Sequence, residues 1–363
     1  VLTSSLSYNF SFSRRDFLLH RSIATNNRSD AIHTSINNRR WEIENFLTWN
    51  KQLGDHTFTA LLGQGAEENA INSTNARANG IPFDAIQMIQ GVPPGPALTA
   101  GTTFEDRSRL SLFARIGYDY KGKYGIDGSY RRDASSRYSP DSRWGSFPAI
   151  SARWNISEEP FFDRYRDVVD FLKIRASFGI TGRDPGSYYA QYRTLTTTVN
   201  YTGFSLGAGA GNTSNIITYN GTTAVVPNYN ASAPASNITW ERTPQANLGL
   251  DASLFRGRIA LTVDIYKKDS REIVFDIPVA TTTGYTLATN NYVDVRNQGV
   301  EFTLTTRNLS EKSKVQWSTT FNIAFNENFV TKLPAGGRDF VFGPPWLQRT
   351  LTVGMPLYQF LAW

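Results

Sequence analysis

The stretch NLGLDASLFRGRIALTVDIYKKD, residues 247–269, indicates the fold, because apolar and polar side chains alternate in it twice. The apolar positions of the two alternating segments are Leu248, Leu250, Ala252, Leu254, Ile259, Leu261, Val263 and Ile265. A period of two residues is typical of β-strands, and the short RGR segment between them predicts a tight turn. Each strand then has one apolar and one polar face. The apolar face must contact either a packed protein core or lipid.

The composition of the 363-residue chain favours a β-structure over a bundle of membrane helices. Hydrophobic residues make up 40% of the chain and charged residues 19%, whereas aromatic residues reach 13%. We find no run of about 18 apolar residues, which a membrane-spanning helix needs. A barrel strand escapes that requirement, because only every second residue faces lipid.

Two further features of the composition exclude classes of site and partner. Cysteine is absent, which rules out disulfide bonds and thiolate metal sites. The net charge of +6 comes from basic residues that are scattered along the chain. Nucleic-acid binding usually needs a dense basic patch, so we predict no nucleic-acid partner.

Eleven segments alternate in the same way, and a short twelfth is predicted near residues 349–353. The eleven lie near residues 3–15, 33–50, 57–65, 108–120, 124–134, 145–157, 169–181, 244–255, 258–268, 294–307 and 315–328. A strand of about nine to eleven residues, tilted by about 45°, crosses the hydrocarbon layer of an outer membrane. The lengths of these segments fit that span.

The links between the segments alternate strictly between long and short. The short links are residues 51–56, 121–123, 256–258 and 308–314, and the long links are residues 16–32, 66–107, 135–144, 182–243 and 269–293. A membrane barrel has short periplasmic turns and long outer loops, whereas a β-sandwich has no reason to collect its long loops at one end. One more link on the short side, residues 158–171, has apolar residues at helical spacing, and we predict a short amphipathic helix there with Pro160 in its first turn.

The two ends of the chain predict a piece of a larger wall. The chain begins with VLTSSLSYNF, without an initiator Met or the apolar core of a signal peptide, and it ends with VGMPLYQFLAW after a segment rich in Gly and Pro. Because lipid tolerates no open sheet edge, eleven or twelve strands must close on themselves or belong to a larger barrel. We expect a fragment of a larger barrel.

Six stretches occur in a fixed order over most of residues 105–363, and they carry a family resemblance. They are WGSFPAISARWNISEEPFF, FLKIRASFGITG, ITWERTPQANLGLDASLFRGRIALTVDIYKKDSREIVFD, NQGVEFTL, WSTTFNIAFNENFV and VGMPLYQF. Together they resemble the barrel of the SusC/RagA-type TonB-linked outer membrane proteins of Bacteroidetes. The resemblance implies an all-β fold in which residues 1–363 form about half of an antiparallel transmembrane β-barrel of about 22 strands. It also implies that the family's signal peptide, TonB box and plug domain are not present in this chain.

The resemblance further implies TonB-dependent import of a nutrient across the outer membrane, most often an oligosaccharide and in some relatives a peptide. The implied partners are a SusD-like surface lipoprotein that forms a lid, TonB acting through the missing plug, and outer-membrane lipid. Such import involves no cofactor and no covalent chemistry. Two alternatives stay open. The chain could belong to a structural or adhesive surface protein that binds glycans without transport, or to a family member recruited into a larger envelope assembly.

The sequence predicts no catalytic or metal-binding site. His20, His33 and His56 stand apart, without a carboxylate or a second histidine at ligand spacing. The polar face of the strands, in contrast, carries charges that should point into the lumen and pair with the plug or with one another. These charges are Arg115, Asp119, Asp127, Arg131, Arg153, Arg175, Asp251, Asp264 and Glu301.

Aromatic side chains in the outer loops are the better candidates for contact with a solute. Sugar rings present apolar C–H faces that stack on aromatic rings, although packing of the loops or contact with a lid is the more common role of such aromatics. The segments RYSPDSRW and GSYYAQYR supply the candidate substrate-binding residues Tyr138, Trp144, Tyr188, Tyr189 and Tyr192. Near the strand ends we predict an interfacial girdle that contains Tyr118, Tyr120, Tyr124, Trp154 and Trp317.

Overall fold

The computed structural model of the chain is almost entirely β-structure. It describes residues 1–20, 22, 29–81, 89, 98–192, 232–285, 287–309, 313–334, 339–342, 347–357 and 359–360, together with two-residue strand segments between residues 195 and 227. Within the predicted loop 182–243, residues 193–231 therefore lie outside the described residues, apart from these two-residue strand segments. None of the helices formed by the described residues is long and apolar enough to cross a membrane.

Eleven strands form one sheet, and their order in the sheet is their order in the chain. The strands are β1 Leu2–Leu19, β2 Ser29–Leu53, β3 His56–Ile81, β4 Leu98–Tyr120, β5 Tyr124–Ser135, β6 Trp144–Asn155, β7 Val169–Arg183, β8 Glu241–Leu254, β9 Ile259–Pro278, β10 Leu287–Arg307 and β11 Ser318–Lys332. All eleven predicted strands are confirmed. The predicted twelfth segment forms β13 Arg349–Leu351, between β12 Phe340–Phe342 and β14 Gln359–Phe360 in a separate three-stranded sheet.

Two of the predicted long links are shorter than the sequence pattern suggested, because the strands continue into them. Of the predicted link 66–107, β3 takes the part up to Ile81 and β4 the part from Leu98. Of the link 269–293, β9 and β10 take all but the segment between Pro278 and Leu287. Polar and apolar pairs both continue the ladder here: Ile277 lies opposite Ala288, and Asp276 lies opposite Thr289, which donates a hydrogen bond to its carboxylate. Register shifts on both sides of Ile273, next to the positive φ of Glu272, separate this extension from the regular alternation of β9, so the sequence pattern missed it.

The described chain contains two compact units. The first comprises residues 1–47, 63–112 and 134–136, and the second comprises residues 48–62, 113–133 and 137–363. In the first unit, β1 pairs with β2 along its whole length, and Ala31, Ala78 and Ile81 form a small buried cluster. Beside that cluster, the Arg77 guanidinium lies 2.7 Å from the Asp30 carboxylate. The candidate site described below lies in the second unit.

The pairing register of β6 to β11 separates the side chains onto two faces. Residues directly opposite one another share a face, and the face changes with each residue along a strand. One row of opposed residues is apolar, and we call its side of the sheet the apolar face: Ala152, Ala176, Leu248, Ile265, Val300 and Phe325. The next row lies on the other side, which we call the polar face: Arg153, Arg175, Gly249, Asp264, Glu301 and Ala324.

The apolar face is open rather than covered by a second sheet. Ile265 is 52% exposed and Phe325 is 65% exposed, and Leu250 and Leu261 are only half-buried. A sandwich would bury these side chains between its two sheets. The exposed apolar row therefore fits a wall whose outer side contacts lipid, as the alternation predicted.

Tight turns join the strands on the short side. The turn between β8 and β9 holds three residues with positive φ, at Phe255, Arg256 and Gly257, and the Asp170 carboxylate accepts a hydrogen bond from the Gly257 amide at 2.7 Å. At Gly257 the positive φ of 75° costs little, because glycine lacks a Cβ. The RGR segment thus forms the tight turn that the sequence predicted.

The predicted amphipathic helix in residues 158–171 is wrong in type. The chain forms two short 3-10 helices there, Ile156–Glu158 and Pro160–Tyr165, and hydrogen bonds between residues three apart continue to Val168. Phe162 is buried, whereas Phe161 and Tyr165 are exposed. Of the apolar side chains that suggested an α-helix, only Phe162 is buried, so this link forms no buried apolar stripe.

Aromatic rings line the sheet near these turns, and Glu159 ties them to the link. The rings of Tyr120, Tyr124 and Trp154 stack in succession, with centroids 6.4 Å apart at each step. The Glu159 carboxylate accepts hydrogen bonds from the Tyr124 hydroxyl and from Trp154 Nε1, and it lies 3.3 Å from Lys123 Nζ. The hydrogen bond from Tyr124 holds the pKa of Glu159 below its ordinary value. Glu159 therefore connects two aromatic residues of the predicted girdle to the link between β6 and β7.

We predict that Leu250→Arg destabilises the full-length protein in lipid bilayers by about 2–4 kcal/mol, because it places a charge on the lipid side of β8, near the middle of an apolar band about 25 Å tall. Asn247→Arg, on the polar face of the same strand, is the matched control and should cost much less. The free energies of unfolding come from denaturant titration in vesicles. Equal losses for the two variants would contradict a lipid-facing apolar face.

We predict that Glu159→Gln lowers stability at neutral pH and has little effect in acid. A carboxyl group with a depressed pKa stabilises the fold above its ordinary pKa of 4.5, and this contribution disappears as the pH falls through the depressed value. Denaturation midpoints of the two proteins should differ at pH 7 and converge in acid. Glu158→Gln, at an exposed neighbouring position, serves as the control, and a difference that persists in acid would exclude this explanation.

Candidate functional site

An ion cluster occupies the polar face of β7, β8 and β9. The guanidinium of Arg175 on β7 donates hydrogen bonds to Asp251 on β8 at 2.9 and 3.1 Å, and to Asp264 on β9 at 3.2 Å. Lys173 Nζ lies 2.8 Å from the same Asp251 carboxylate. One arginine thus connects three strands, and it brings together three of the charges that the sequence assigned to one face.

A glycine makes this connection possible. Gly249 on β8 lies between two charged residues of the neighbouring strands. It is opposite Arg175 on β7 and opposite Asp264 on β9. A Cβ at Gly249 would stand 2.6 to 2.8 Å from the guanidinium atoms of Arg175, closer than real Cβ atoms approach. The missing side chain therefore leaves room for the arginine to cross β8 and reach the next strand.

The same arrangement occurs at two more places on the sheet. Arg153 on β6 passes over Gly125 on β5, where a Cβ would lie 2.6 Å from its Nε, and bonds to Asp119 on β4. The Tyr266 hydroxyl on β9 passes over Gly299 on β10 and donates a hydrogen bond to the Asn326 side chain on β11 at 3.0 Å. In each case a long polar side chain crosses a glycine to a partner two strands away.

The other predicted charges form shorter pairs. The Arg115 guanidinium lies 2.8 Å from Asp127, and Arg131 bonds to Asp133 at 2.9 Å. Glu301 lies opposite Asp264 in the β9–β10 register, so two carboxylates meet there beside a single arginine. The structure thus pairs most of the predicted polar-face charges with one another. Their contact with a plug stays a prediction.

A buried aromatic cluster holds the outer links of the second unit together. Tyr138, Phe147, Ala235, Ile238 and Trp240 form this cluster, and the rings of Tyr138 and Trp240 lie 5.0 Å apart. The Trp240 indole donates a hydrogen bond to the Arg143 carbonyl at 2.9 Å, and the Tyr138 hydroxyl donates one to the Arg183 carbonyl at 3.2 Å. Residues that are distant in sequence therefore pack as one block.

Three tyrosines lie next to this block, and their rings contact one another in succession towards the surface. The Arg137 guanidinium donates a hydrogen bond to the Pro185 carbonyl at 2.7 Å and lies 4.0 Å from the Tyr188 ring. The Tyr188 and Tyr189 centroids are 6.2 Å apart, and the Tyr189 and Tyr192 centroids are 6.5 Å apart. Tyr189 is 40% exposed and Tyr192 is 56% exposed. The rings form a short exposed platform on a fixed base.

The segment that carries the platform is also fixed by its backbone. The Ala235 amide donates a hydrogen bond to the Ala190 carbonyl at 2.7 Å, and Ala190 packs against the buried cluster. Ala190 lies between Tyr189 and Tyr192 in the chain, so this hydrogen bond fixes the backbone that carries the two exposed rings. A ligand that stacks on them would pay little ordering cost, because the segment is already in place.

Two of the five candidate aromatics have other surroundings. The prediction for Tyr138 is wrong on physical grounds, because its side chain has no exposed surface and its hydroxyl is already bonded within the block. Trp144 opens β6 instead of lying in a loop, and the Arg132 guanidinium lies 4.8 Å from its ring. Trp144 is 41% exposed, and its contact with a solute stays a prediction.

The histidines have partners that the sequence did not reveal. His33 lies opposite Asp16 in the β1–β2 register, with Nδ1 2.6 Å from the carboxylate. His56 Nδ1 lies 2.8 Å from the Tyr118 hydroxyl, at the aromatic rim. Within the described part of the chain, no three His, Cys, Asp or Glu side chains form a group that could hold a metal ion.

Sequence reasoning missed the glycines and the anchors of the loop block. A glycine inside an alternating strand often marks a close approach, so Gly125, Gly249 and Gly299 did carry a usable signal. Arg137 and Trp240 carried none, because their roles depend on contacts between segments far apart in the chain.

The barrel model of one protein family matches nearly the whole chain. The model, described as TonB dependent receptor-like, beta-barrel, matches residues 2–359. The TonB-dependent receptor P39 of Formosa agariphila is 33% identical over 303 residues, which are 80% of this chain and 26% of that protein. The TonB-dependent receptor SusC of Bacteroides thetaiotaomicron is 28% identical over 297 residues, 80% of this chain and 27% of that protein. The chain spans about a quarter of the length of both relatives.

Solved structures agree with the fold. The RagAB peptide importer in its closed-closed state superposes with a TM-score of 0.79, covering 99% of this chain and 37% of that chain at 20% identity. The ferric citrate transporter FecA superposes with a TM-score of 0.53, covering 96% of this chain and 45% of that chain at 9% identity. At these identities the similarity concerns the fold alone.

We predict that Gly249→Ala removes the coupling between Arg175 and Asp264, because the new methyl group displaces the guanidinium from its path across β8. In the unaltered protein, Asp264→Asn should cost about 1 kcal/mol of stability. On the Gly249→Ala background it should cost close to nothing. A double-mutant cycle from denaturant titrations of the full-length protein measures the difference.

The control for this cycle is Gly128→Ala on β5, where an added Cβ meets no atom within 4 Å. The cost of Asp264→Asn should be unchanged on that background. An equal cost on the Gly249→Ala background would show that the arginine does not need the glycine.

Proposed function

This chain belongs to the TonB-dependent receptor-like β-barrel family of the outer membrane, of the SusC/RagA type, and from that premise we propose that it forms part of the wall of a nutrient importer. The observation that carries the proposal is the two-faced sheet, with an exposed apolar row on one side and paired charges on the other. Transport through such a wall needs no covalent chemistry, so we assign no enzymatic activity and no cofactor. Other parts of the same protein would supply the plug and the contact with TonB.

The polar face would line the lumen. Its charges are largely neutralised within the sheet, through Arg175 with its two aspartates and Arg153 with Asp119. The surface that such a wall presents to the plug would be polar, but its net electrostatic field would be small. Glu301, which faces Asp264 across the register, would be the position where a basic group of the plug fits best.

The tyrosine platform would be the solute contact. Tyr188, Tyr189 and Tyr192 present ring faces on an anchored segment, and such faces suit the apolar C–H side of a sugar ring. We therefore propose an oligosaccharide as the solute, bound together with a SusD-like surface lipoprotein that closes over the outer loops. Peptide is the second candidate, because the RagAB relative of the same fold is a peptide importer.

Two other functions remain as alternatives to test against import. The chain could belong to a surface protein that binds glycans without moving them, or to a barrel recruited into a larger envelope assembly. A strain that lacks the gene separates these possibilities, because only an importer is required for growth on its solute. Growth on oligosaccharides and on peptides as sole nutrients distinguishes the two solute classes.

We predict that the double substitution Tyr189→Ala and Tyr192→Ala lowers the affinity of the whole protein and its lid for the oligosaccharide about tenfold, since two stacked rings contribute on the order of 1.4 kcal/mol. Calorimetry with the purified complex and growth at limiting solute both report the loss. Tyr165→Ala is the matched control: this tyrosine is 46% exposed, but it lies in the short-side link. An unchanged affinity in the double variant would remove the platform from the site, and normal growth of the deletion strain on every solute would exclude import.

A further inference from the structure

A long groove crosses the apolar face from β7 to β11. Its volume is about 720 Å³, and its lining is mostly apolar. Ala176 and Ala246 form a low floor, and the larger side chains around them are Leu248, Ile265, Val300 and Phe325. Small residues beside large ones therefore create a depression in a surface that is otherwise raised by bulky side chains.

The register explains why the groove has a polar end. A second row lies on the same face, two residues nearer the long links than the apolar row from Ala176 to Phe325. The opposed residues of this second row are, in order across the strands, Ala246, Lys267, Gln298 and Glu327. All four residues line the groove. The groove thus begins among apolar side chains and ends at an ammonium and a carboxylate.

The height of Lys267 in the wall places that end near the outer membrane surface. Lys267 is the ninth residue of β9, counted from the short-side turn. With a rise of about 3.3 Å per residue and a tilt of about 45°, it lies roughly 20 Å above that turn. The apolar band of an outer-membrane barrel is about 25 Å tall, so Lys267 is at the level where the acyl chains of the outer leaflet give way to headgroups.

The charges around this end favour an anion. Lys267 is exposed. The next acidic residue on its face, Asp269, forms ion pairs with two arginines: its carboxylate lies 2.5 Å from the Arg296 guanidinium and 3.4 Å from that of Arg271. The surface above the groove therefore carries three basic groups against the carboxylates of Asp269 and Glu327. A phosphate beside Lys267 would meet an excess of positive charge.

We propose that the groove binds one lipid A molecule of the outer leaflet, with an acyl chain between Leu248 and Phe325 and a phosphate on Lys267. The wall lies in the outer membrane, so lipid covers this face, and lipid A is the outer-leaflet lipid that combines acyl chains with phosphate. A second copy of the chain would instead have to present an anionic, convex apolar surface. The proposal concerns the outer side of the wall and does not depend on the identity of the solute.

The chain offers a matched control for each part of the site. Lys268 is the neighbour of Lys267 but points to the polar face, where its ammonium lies 5.2 Å from the Tyr266 ring. Ala152 lies opposite Ala176 in the same apolar row but does not line the groove. Substitutions at Lys268 and Ala152 therefore change charge and volume to the same extent without touching the proposed site.

Lipid A titrated into the whole protein in detergent, followed by native mass spectrometry, tests the proposal. Lys267→Ala should weaken binding about fivefold, the contribution of one basic residue at a lipid headgroup. Ala246→Phe should weaken it further by filling the floor. Lys268→Ala and Ala152→Phe should bind as the unaltered protein does. Heat-modifiable mobility in gels confirms that each variant is folded, and Lys267→Glu replaces Ala246→Phe if the latter fails to fold.

Three results would overturn the proposal. Equal lipid A binding by all four variants would mean that the lipid is held only as a general annulus. Preference for a phospholipid over lipid A, lost in Lys267→Ala, would assign the groove to a different lipid. Dissociation of an oligomer by Ala246→Phe, without loss of lipid A, would assign it to a second copy of the chain. Solute import should be unchanged in Lys267→Ala, so failure of this site and failure of the proposed function are distinguishable.

Discussion

The structure depends on one constraint: a backbone that crosses lipid must satisfy all of its amide and carbonyl groups within the protein. Long strands that pair with their neighbours in chain order meet this requirement with the shortest connections. Once the strands pair, alternate side chains must face opposite sides. The apolar row from Ala152 to Phe325 and the charged row from Arg153 to Glu301 are both consequences of this single pairing register.

The polar face solves a second problem, which is how to keep many charges on one wall without a large desolvation cost. Arg175 satisfies two aspartates at once, and Lys173 adds a second cation beside Asp251. Such a link needs a side chain that spans two strands, and therefore a residue without a side chain on the strand between them. Gly249 has that role, and Gly125 and Gly299 repeat it. The glycines determine which polar groups meet.

Beyond the membrane the constraint changes, because water can satisfy the backbone and apolar groups must find a core of their own. The outer links of the second unit have such a core, in which Tyr138, Phe147 and Trp240 are buried together. This block holds Tyr189 and Tyr192 in an exposed position. Burial of some loop aromatics is thus the condition for the exposure of others.

The sequence by itself determined the eleven strands, their two faces and the side on which the long links lie, because a period of two residues and a link length are local properties. It also placed Arg175, Asp251 and Asp264 on one face. Only the tertiary structure decided that these three meet, since Arg175 and Asp251 are 76 residues apart and their contact depends on the register between strands. Three other features also depend on contacts that no local pattern predicts. They are the burial of Tyr138, the extensions of β9 and β10, and the 3-10 geometry of residues 160–165. The side of the sheet that a residue faces follows from the pattern of its own strand, whereas the residue it contacts depends on how all the strands pair.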